Sequence, residues 1–126
     1  MKEKEREIWV GKNRIYLGED NILYHTVVGD VDENTAAAFK EADLTIRSKV
    51  KGKVNILIDL TRAEKLAPEA RKIGKERLED EGIGKVAFLG LHPVAIVTAS
   101  FVMEVAKKRD IRFFRKMEEA LEWLKE

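Results

Sequence analysis

The sequence predicts an α/β fold. It reads as a single-layer mixed β-sheet, with an antiparallel N-terminal meander followed by parallel βαβα units and helices packed on it. Three observations carry this. The run KVNILIDL at 53–60 is short, apolar and rich in β-branched residues, as a strand buried on both faces of a parallel sheet is. Before it stand three short β-type segments separated by turn residues. After it, strand and helix patterns alternate to the end.

A chain of 126 residues is the size of one ordinary domain, and residues 1–126 are read as one. The hydrophobic share of 44% excludes a disordered chain, and the charged share of 37% is high for a globular one. Cys and Gln are both absent while Lys and Glu abound, a composition that points toward a thermophile. Without cysteine there is no disulfide, thiolate metal site or thiol nucleophile. A net charge of +1 gives no global attraction to nucleic acid or to acidic membranes. The opening MKEKEREIWV alternates charges and lacks the apolar core of a signal peptide. The longest apolar-rich run, 94–106, is too short to span a bilayer. The expected location is the cytoplasm.

In order, 7–10 forms a first strand, with a turn at Lys12 and Asn13. Residues 14–17 and 22–28 are the second and third strands, joined by the turn GEDN. Gly29 and Asp30 break the sheet, and Asp32 caps a helix. Ala36, Phe39, Ala42, Ile46 and Val50 give that helix one apolar stripe, closed by Gly52. The strand 53–60 follows, ending near Asp59. Residues 61–67 read as a polar loop. Pro68 opens a second helix running to residue 81, with Ala70, Ile73 and Leu78 inward and Arg71, Lys72, Lys75, Glu76 and Arg77 in water. Gly82 to Lys85 fails as a phosphate loop, because it precedes a strand and lacks the following Ser or Thr; it reads as a turn. A strand at 85–91, a helix from His92–Pro93 to about 108, a strand at 111–114 and a helix at 115–125 complete the chain.

The order of elements, the strands KVNILIDLT and KVAFLGL, and the ending with IRFF and ALEWL resemble the SpoIIAA-like proteins. These are STAS-domain relatives and are more distantly related to the CRAL-TRIO lipid-binding domain. The resemblance spans about residues 9–124 and implies a small regulatory or binding module, not an enzyme. STAS anti-sigma-factor antagonists are regulated by phosphorylation of a serine after the central strand. That position falls near Ala67 or Pro68 here, and neither carries a hydroxyl; the nearest is that of Thr61.

Asp59 and Thr61 stand at the carboxyl end of the central strand, where open α/β sheets place their ligands. Their bland role is to cap a turn by local hydrogen bonds. His92 with Arg62, Lys65, Arg71, Arg115 and Lys116 is expected to gather on the edge where strands end and helices begin, where helix starts and cations suit an anion such as a phosphate or lipid headgroup. The competing reading is solvated surface charge. His25, inside a strand, reads as structural. Two distant histidines make no metal site, so neither metal nor cofactor is expected.

The stretch VAIVTASFVMEVA at 94–106 carries only Glu104 as a charge, more apolar surface than one stripe against a sheet requires. A neighbouring helix, a second subunit or an apolar ligand would cover it. The preferred reading is a two-fold dimer, because Ala95, Ala99 and Ser100 allow close approach while Ile96, Phe101 and Met103 supply adaptable apolar contact. The leading expectation is a non-enzymatic, homodimeric STAS-like module acting through protein contacts. The alternative is a carrier or sensor of a small apolar or lipid-like ligand held under 94–106. An enzyme would need Asp59, Thr61 and His92 to converge in one cleft.

Overall fold

In the computed structural model, which describes residues 1–90 and 110–126, six strands form one sheet in the order in which they follow along the chain. A 3-10 turn at Glu3–Glu5 precedes β1 (Glu7–Val10), β2 (Asn13–Leu17) and β3 (Ile22–Val31). These three pair antiparallel. Strands β4 (Val54–Leu66), β5 (Ile83–Leu89) and β6 (Ile111–Phe114) add in parallel, starting on β3. Helix α1 (Glu33–Arg47) joins β3 to β4, α2 (Pro68–Leu78) joins β4 to β5, and α3 (Met117–Leu124) follows β6. This is the mixed sheet that the sequence predicts.

The pleat of β4 sorts its side chains between two cores. Ile56, Ile58 and Leu60 pack with Phe39 and Ile46 of α1 and with Ala70 and Leu78 of α2. Leu57 faces the opposite way, toward Ile22, Ala87 and Leu89, and meets Ala120, Trp123 and Leu124 of α3. Each such side chain, fully buried, stabilises by about 1.5–3 kcal/mol, so the run 53–60 ties both layers to one strand. Asn55 Nδ2 fastens the α3 side by donating to the Leu124 carbonyl at 2.8 Å.

Several boundaries differ from those the sequence predicts, each for a local reason. Asn13 belongs to β2: its Nδ2 donates to the Val10 carbonyl at 2.9 Å, and its Oδ1 accepts from the Val28 N–H at 2.7 Å. Gly29 and Asp30 do not end β3. Gly29 takes φ +76° and the pairing shifts register around it, so the strand bulges and continues to Val31. Asp32 caps α1 as expected, accepting from the Thr35 N–H at 2.8 Å, but the helix closes at Arg47 and Gly52 (φ +82°) lies in the turn beyond. Helix α2 starts at Pro68 as expected and ends at Leu78 rather than at residue 81. Strand β5 begins at Ile83, inside the predicted turn, because Val54 already pairs with Ile83.

The largest correction concerns 61–67. It is not a loop: β4 runs on to Leu66. Beyond Asp59, β4 pairs with β3 alone, through Val28–Arg62, Gly29–Ala63 and Val31–Leu66. The two strands thus project as an arm from the carboxyl end of the sheet. Ala63 is buried, while Thr61, Arg62, Glu64 and Lys65 are exposed. The composition looks loop-like because these side chains have lost their neighbours on β5, not because the backbone is unpaired. Gly90 closes the inside of this corner with φ +122°; a Cβ there would stand 3.1 Å from the Thr61 nitrogen and 3.2 Å from the Leu60 carbonyl carbon. Among the described residues no helix is long and apolar enough to cross a membrane.

Candidate functional site

The carboxyl edge of the sheet holds four of the residues singled out from sequence. Asp59 Oδ1 accepts from the Thr61 N–H at 3.0 Å and from the Thr61 hydroxyl at 2.7 Å. This is a closed local cap, and it holds the bend where β4 leaves β5. Arg62 is exposed on the arm. Arg115 is exposed just after β6. Asp59 aligns with Leu89, and Leu89 with Phe114, so Arg115 stands two strands away from Asp59, roughly 10 Å across the sheet. These four residues share that edge. His92 and the interface residues Ala95, Ile96, Ala99, Ser100, Phe101 and Met103 lie outside the described residues, as does the ligand site expected under 94–106.

A different site lies between the sheet and the layer of α1 and α2. A cavity of about 80 Å³, partly open to solvent, is floored by Val27, Ile58, Leu60 and Phe88. Ala36 of α1, Ala63 of the arm, and Ala70 and Gly74 of α2 also line it. Small residues from three elements leave room where larger ones would meet. Val31, Lys65 and Leu66 of the arm form part of its wall, so the strand extension that sequence reading took for a loop shapes this cavity.

Two polar side chains line the apolar floor. His25, 3% exposed, and Arg77, 5% exposed, come from β3 and α2. The Arg77 Nη1 group donates to His25 Nδ1 at 2.8 Å. A guanidinium cannot accept, so His25 accepts at Nδ1 and carries its own proton on Nε2. Burial, reinforced by the Arg77 charge, holds the imidazole well below its ordinary value and keeps it neutral. Its ring packs edge-on against Phe39 at 4.4 Å between centroids.

Arg77 is one of two guanidiniums gathered on a single buried carboxylate. Arg47 takes Asp43 in a fork, with Nε at 2.9 Å from Oδ1 and Nη2 at 2.8 Å from Oδ2. It also reaches half-exposed Asp80 at 3.2 Å. Arg77 is left at the outer side of Asp43, its Nε 3.5 Å from Oδ2. Burial pushes the Arg77 guanidinium below its ordinary value, with Asp43 opposing. His25 Nε2, Arg77 Nη2 and Arg71 Nε are buried with no hydrogen-bond partner. Each is a donor. No carboxylate is among the described residues lining the cavity, whereas Lys65, Arg71 and Arg77 all are.

Sequence reading assigned Arg77 to water and missed this cluster. The correction has a simple geometric cause. Ala70, Ile73, Arg77 and Leu78 follow one another at helical spacing, so Arg77 lies on the inward stripe of α2. Asp43 sits equally inward on α1, fully buried between Ala42 and Ile46. His25 alternates inward with Leu23 and Val27 on β3. Three polar residues on apolar stripes were the available signal. Among the described residues no cluster of His, Asp and Glu is arranged to hold a metal.

A family described as a domain of unknown function, DUF7793, matches residues 16–126. The chain belongs to that family. No curated protein matches it. Among solved structures, the fold is similar to an uncharacterised protein of the DUF3478 family with a SpoIIAA-like fold from Shewanella loihica PV-4. That pair is 18% identical, with a TM-score of 0.68 over 93% of this chain and 98% of the other. It is also similar to an anti-sigma factor antagonist from Mycobacterium paratuberculosis, at 17% identity and a TM-score of 0.68 over 91% of this chain and 94% of that one. A third similar structure is the anti-sigma factor antagonist SpoIIAA in its unphosphorylated form, at 11% identity and a TM-score of 0.64 over 89% and 96% of the two chains. The fold is therefore SpoIIAA-like, as the landmarks in the sequence imply.

Proposed function

We propose that this chain is a non-enzymatic, STAS-like regulatory module that acts through protein contacts and pairs with a second copy of itself. The observation that carries the reading is the likeness, over nine-tenths of the chain, to an anti-sigma factor antagonist. The corner between the β3–β4 arm and the start of α2 supports it. Arg62, Glu64, Lys65, Glu69 and Lys72 are all exposed there, a ledge of mixed charge suited to a polar, reversible contact. Ala67 and Pro68 open α2 on this ledge, and neither carries a hydroxyl. Contact through it is therefore not switched by phosphorylation at the start of α2. The apolar sequence 94–106 is the proposed seat of the dimer, and the cytoplasm is the proposed location.

Sedimentation velocity between about 1 and 100 μM tests the pairing. The expected species has twice the 14.4 kDa of the chain, reduced to one copy by Phe101→Glu. A monomer throughout that range defeats the dimer. For the regulatory contact, photo-crosslinkers placed at positions 64 and 69 in the native cell are expected to trap one discrete partner. Arg62→Glu combined with Lys65→Glu is expected to abolish that product. If the charge reversal leaves the crosslink intact, the ledge is not the contact surface.

A further inference from the structure

The cavity beneath α1 and α2 has a chemistry that protein contact does not use. Its described lining is apolar except at His25, Lys65, Arg71 and Arg77. None of those groups brings an anion. The His25 Nε2–H and the Arg77 Nη2 amino group are buried and unbonded. Buried donors left without an acceptor cost about 1–3 kcal/mol each, and more when charged, unless something supplies the acceptor. The described lining is unbalanced in the same sense, with Lys65, Arg71 and Arg77 and no carboxylate. Arg47 already takes both oxygens of Asp43, so Arg77 has only the outer edge of a shared carboxylate.

We propose that this cavity is a binding site for a small monocarboxylate with a short apolar chain. Its two oxygens accept from His25 Nε2 and Arg77 Nη2, its chain lies on Ile58 and Phe88, and Lys65 and Arg71 attract it to the opening. The volume sets the size. About 80 Å³ is roughly half of the ~150 Å³ that admits benzene, which suits a chain of about three or four carbons. A longer chain projects through the open side. The inference does not rest on the protein-contact reading: Lys65 belongs to both surfaces, but the donors His25 and Arg77 lie inside the fold.

The test is a titration of the full-length protein with sodium butyrate, followed by side-chain ¹⁵N NMR of histidine and arginine. Parallel titrations use 1-butanol and butylammonium. The expected result is saturation with a Kd on the order of 1 mM, modest for six heavy atoms. The His25 Nε2 and Arg77 signals shift, and the alcohol and amine bind at least about tenfold more weakly. Arg77→Met is expected to lose at least tenfold in affinity. Should that variant fail to fold, Lys65→Glu, at an exposed position, is expected to weaken binding at low salt and to leave the fold intact. No saturable shift up to about 50 mM overturns the site, its donors then being met by trapped water. Equal binding of butanol overturns recognition of the carboxylate. Shifts confined to other histidine or arginine side chains place the butyrate elsewhere and overturn the assignment.

Discussion

Arg77 Nη1 donates to His25 Nδ1 at 2.8 Å and so links α2 to β3 across 52 residues of sequence. The bond works only while the imidazole is neutral. Burial and the neighbouring guanidinium hold the folded imidazole well below its ordinary value, whereas the unfolded one titrates near about 6.5. On acidification the unfolded chain therefore takes up this proton first. The contribution to stability is complete above about pH 6.5 and is lost as pH falls from there toward the folded value, with a slope approaching about 1.4 kcal/mol per pH unit. Urea unfolding at about pH 7.5 and about pH 5.5 reads the slope. His25→Gln keeps an acceptor and cannot titrate, so its slope is expected to be shallower. Identical slopes in the two proteins would show that His25 is not held neutral.

The Asp43 carboxylate is fully buried between two guanidiniums. Asp43→Asn leaves Arg77 without a carboxylate and Arg47 with only the half-exposed Asp80, an expected loss of about 3–5 kcal/mol. Arg77→Met removes a cation that is poorly partnered and replaces it with an apolar chain of similar length. Its expected cost is roughly half as large or less. Denaturant midpoints of the two variants compare them directly. Equal losses would mean that Arg77 contributes as much to the ion-pair cluster as Asp43 does.

Gly90 and Gly11 both have positive φ, but only one is crowded. At Gly11, φ is +60° and nothing lies within 4 Å of an added Cβ, so Gly11→Ala is expected to cost about 1–2 kcal/mol. At Gly90, φ is +122° and an added Cβ meets the backbone of Leu60 and Thr61. Gly90→Ala is expected to cost about 3 kcal/mol or more and to loosen the arm. Thermal unfolding ranks the two. Faster amide exchange at 61–66 in the Gly90 variant is the local signature, and its absence would separate Gly90 from the arm.

Ala67 occupies the N-cap of α2, with extended φ −63° and ψ 149° and no side-chain cap. The backbone is already shaped for a capping hydroxyl. Ala67→Ser is expected to raise stability by about 1 kcal/mol. A melting temperature that stays level or falls would show that the apolar contact of Ala67 with the core outweighs the cap.

The fold was largely legible because burial writes itself into residue spacing. The apolar, β-branched run 53–60, the stripe Ala36–Phe39–Ala42–Ile46, the cap at Asp32 and the proline opening α2 are local signals with local causes. The end of β4 was not legible. A two-stranded arm exposes Arg62, Glu64 and Lys65 much as a loop does, and the hydrogen bonds that make it a strand come from β3, more than thirty residues earlier. The polar cluster was legible only in part. Arg77, Asp43 and His25 each break an apolar stripe, but nothing in their own segments shows that the three stripes meet.

The sequence by itself determined the order of the elements and the mixed sheet, because these follow from periodicity and turn chemistry within short windows, and its landmark strands resemble those of the SpoIIAA-like fold. Tertiary structure alone decided that β4 outruns its neighbour and that buried His25 and Arg77 line one apolar cavity. Those outcomes depend on which faces come together, and a linear pattern carries the faces without their partners.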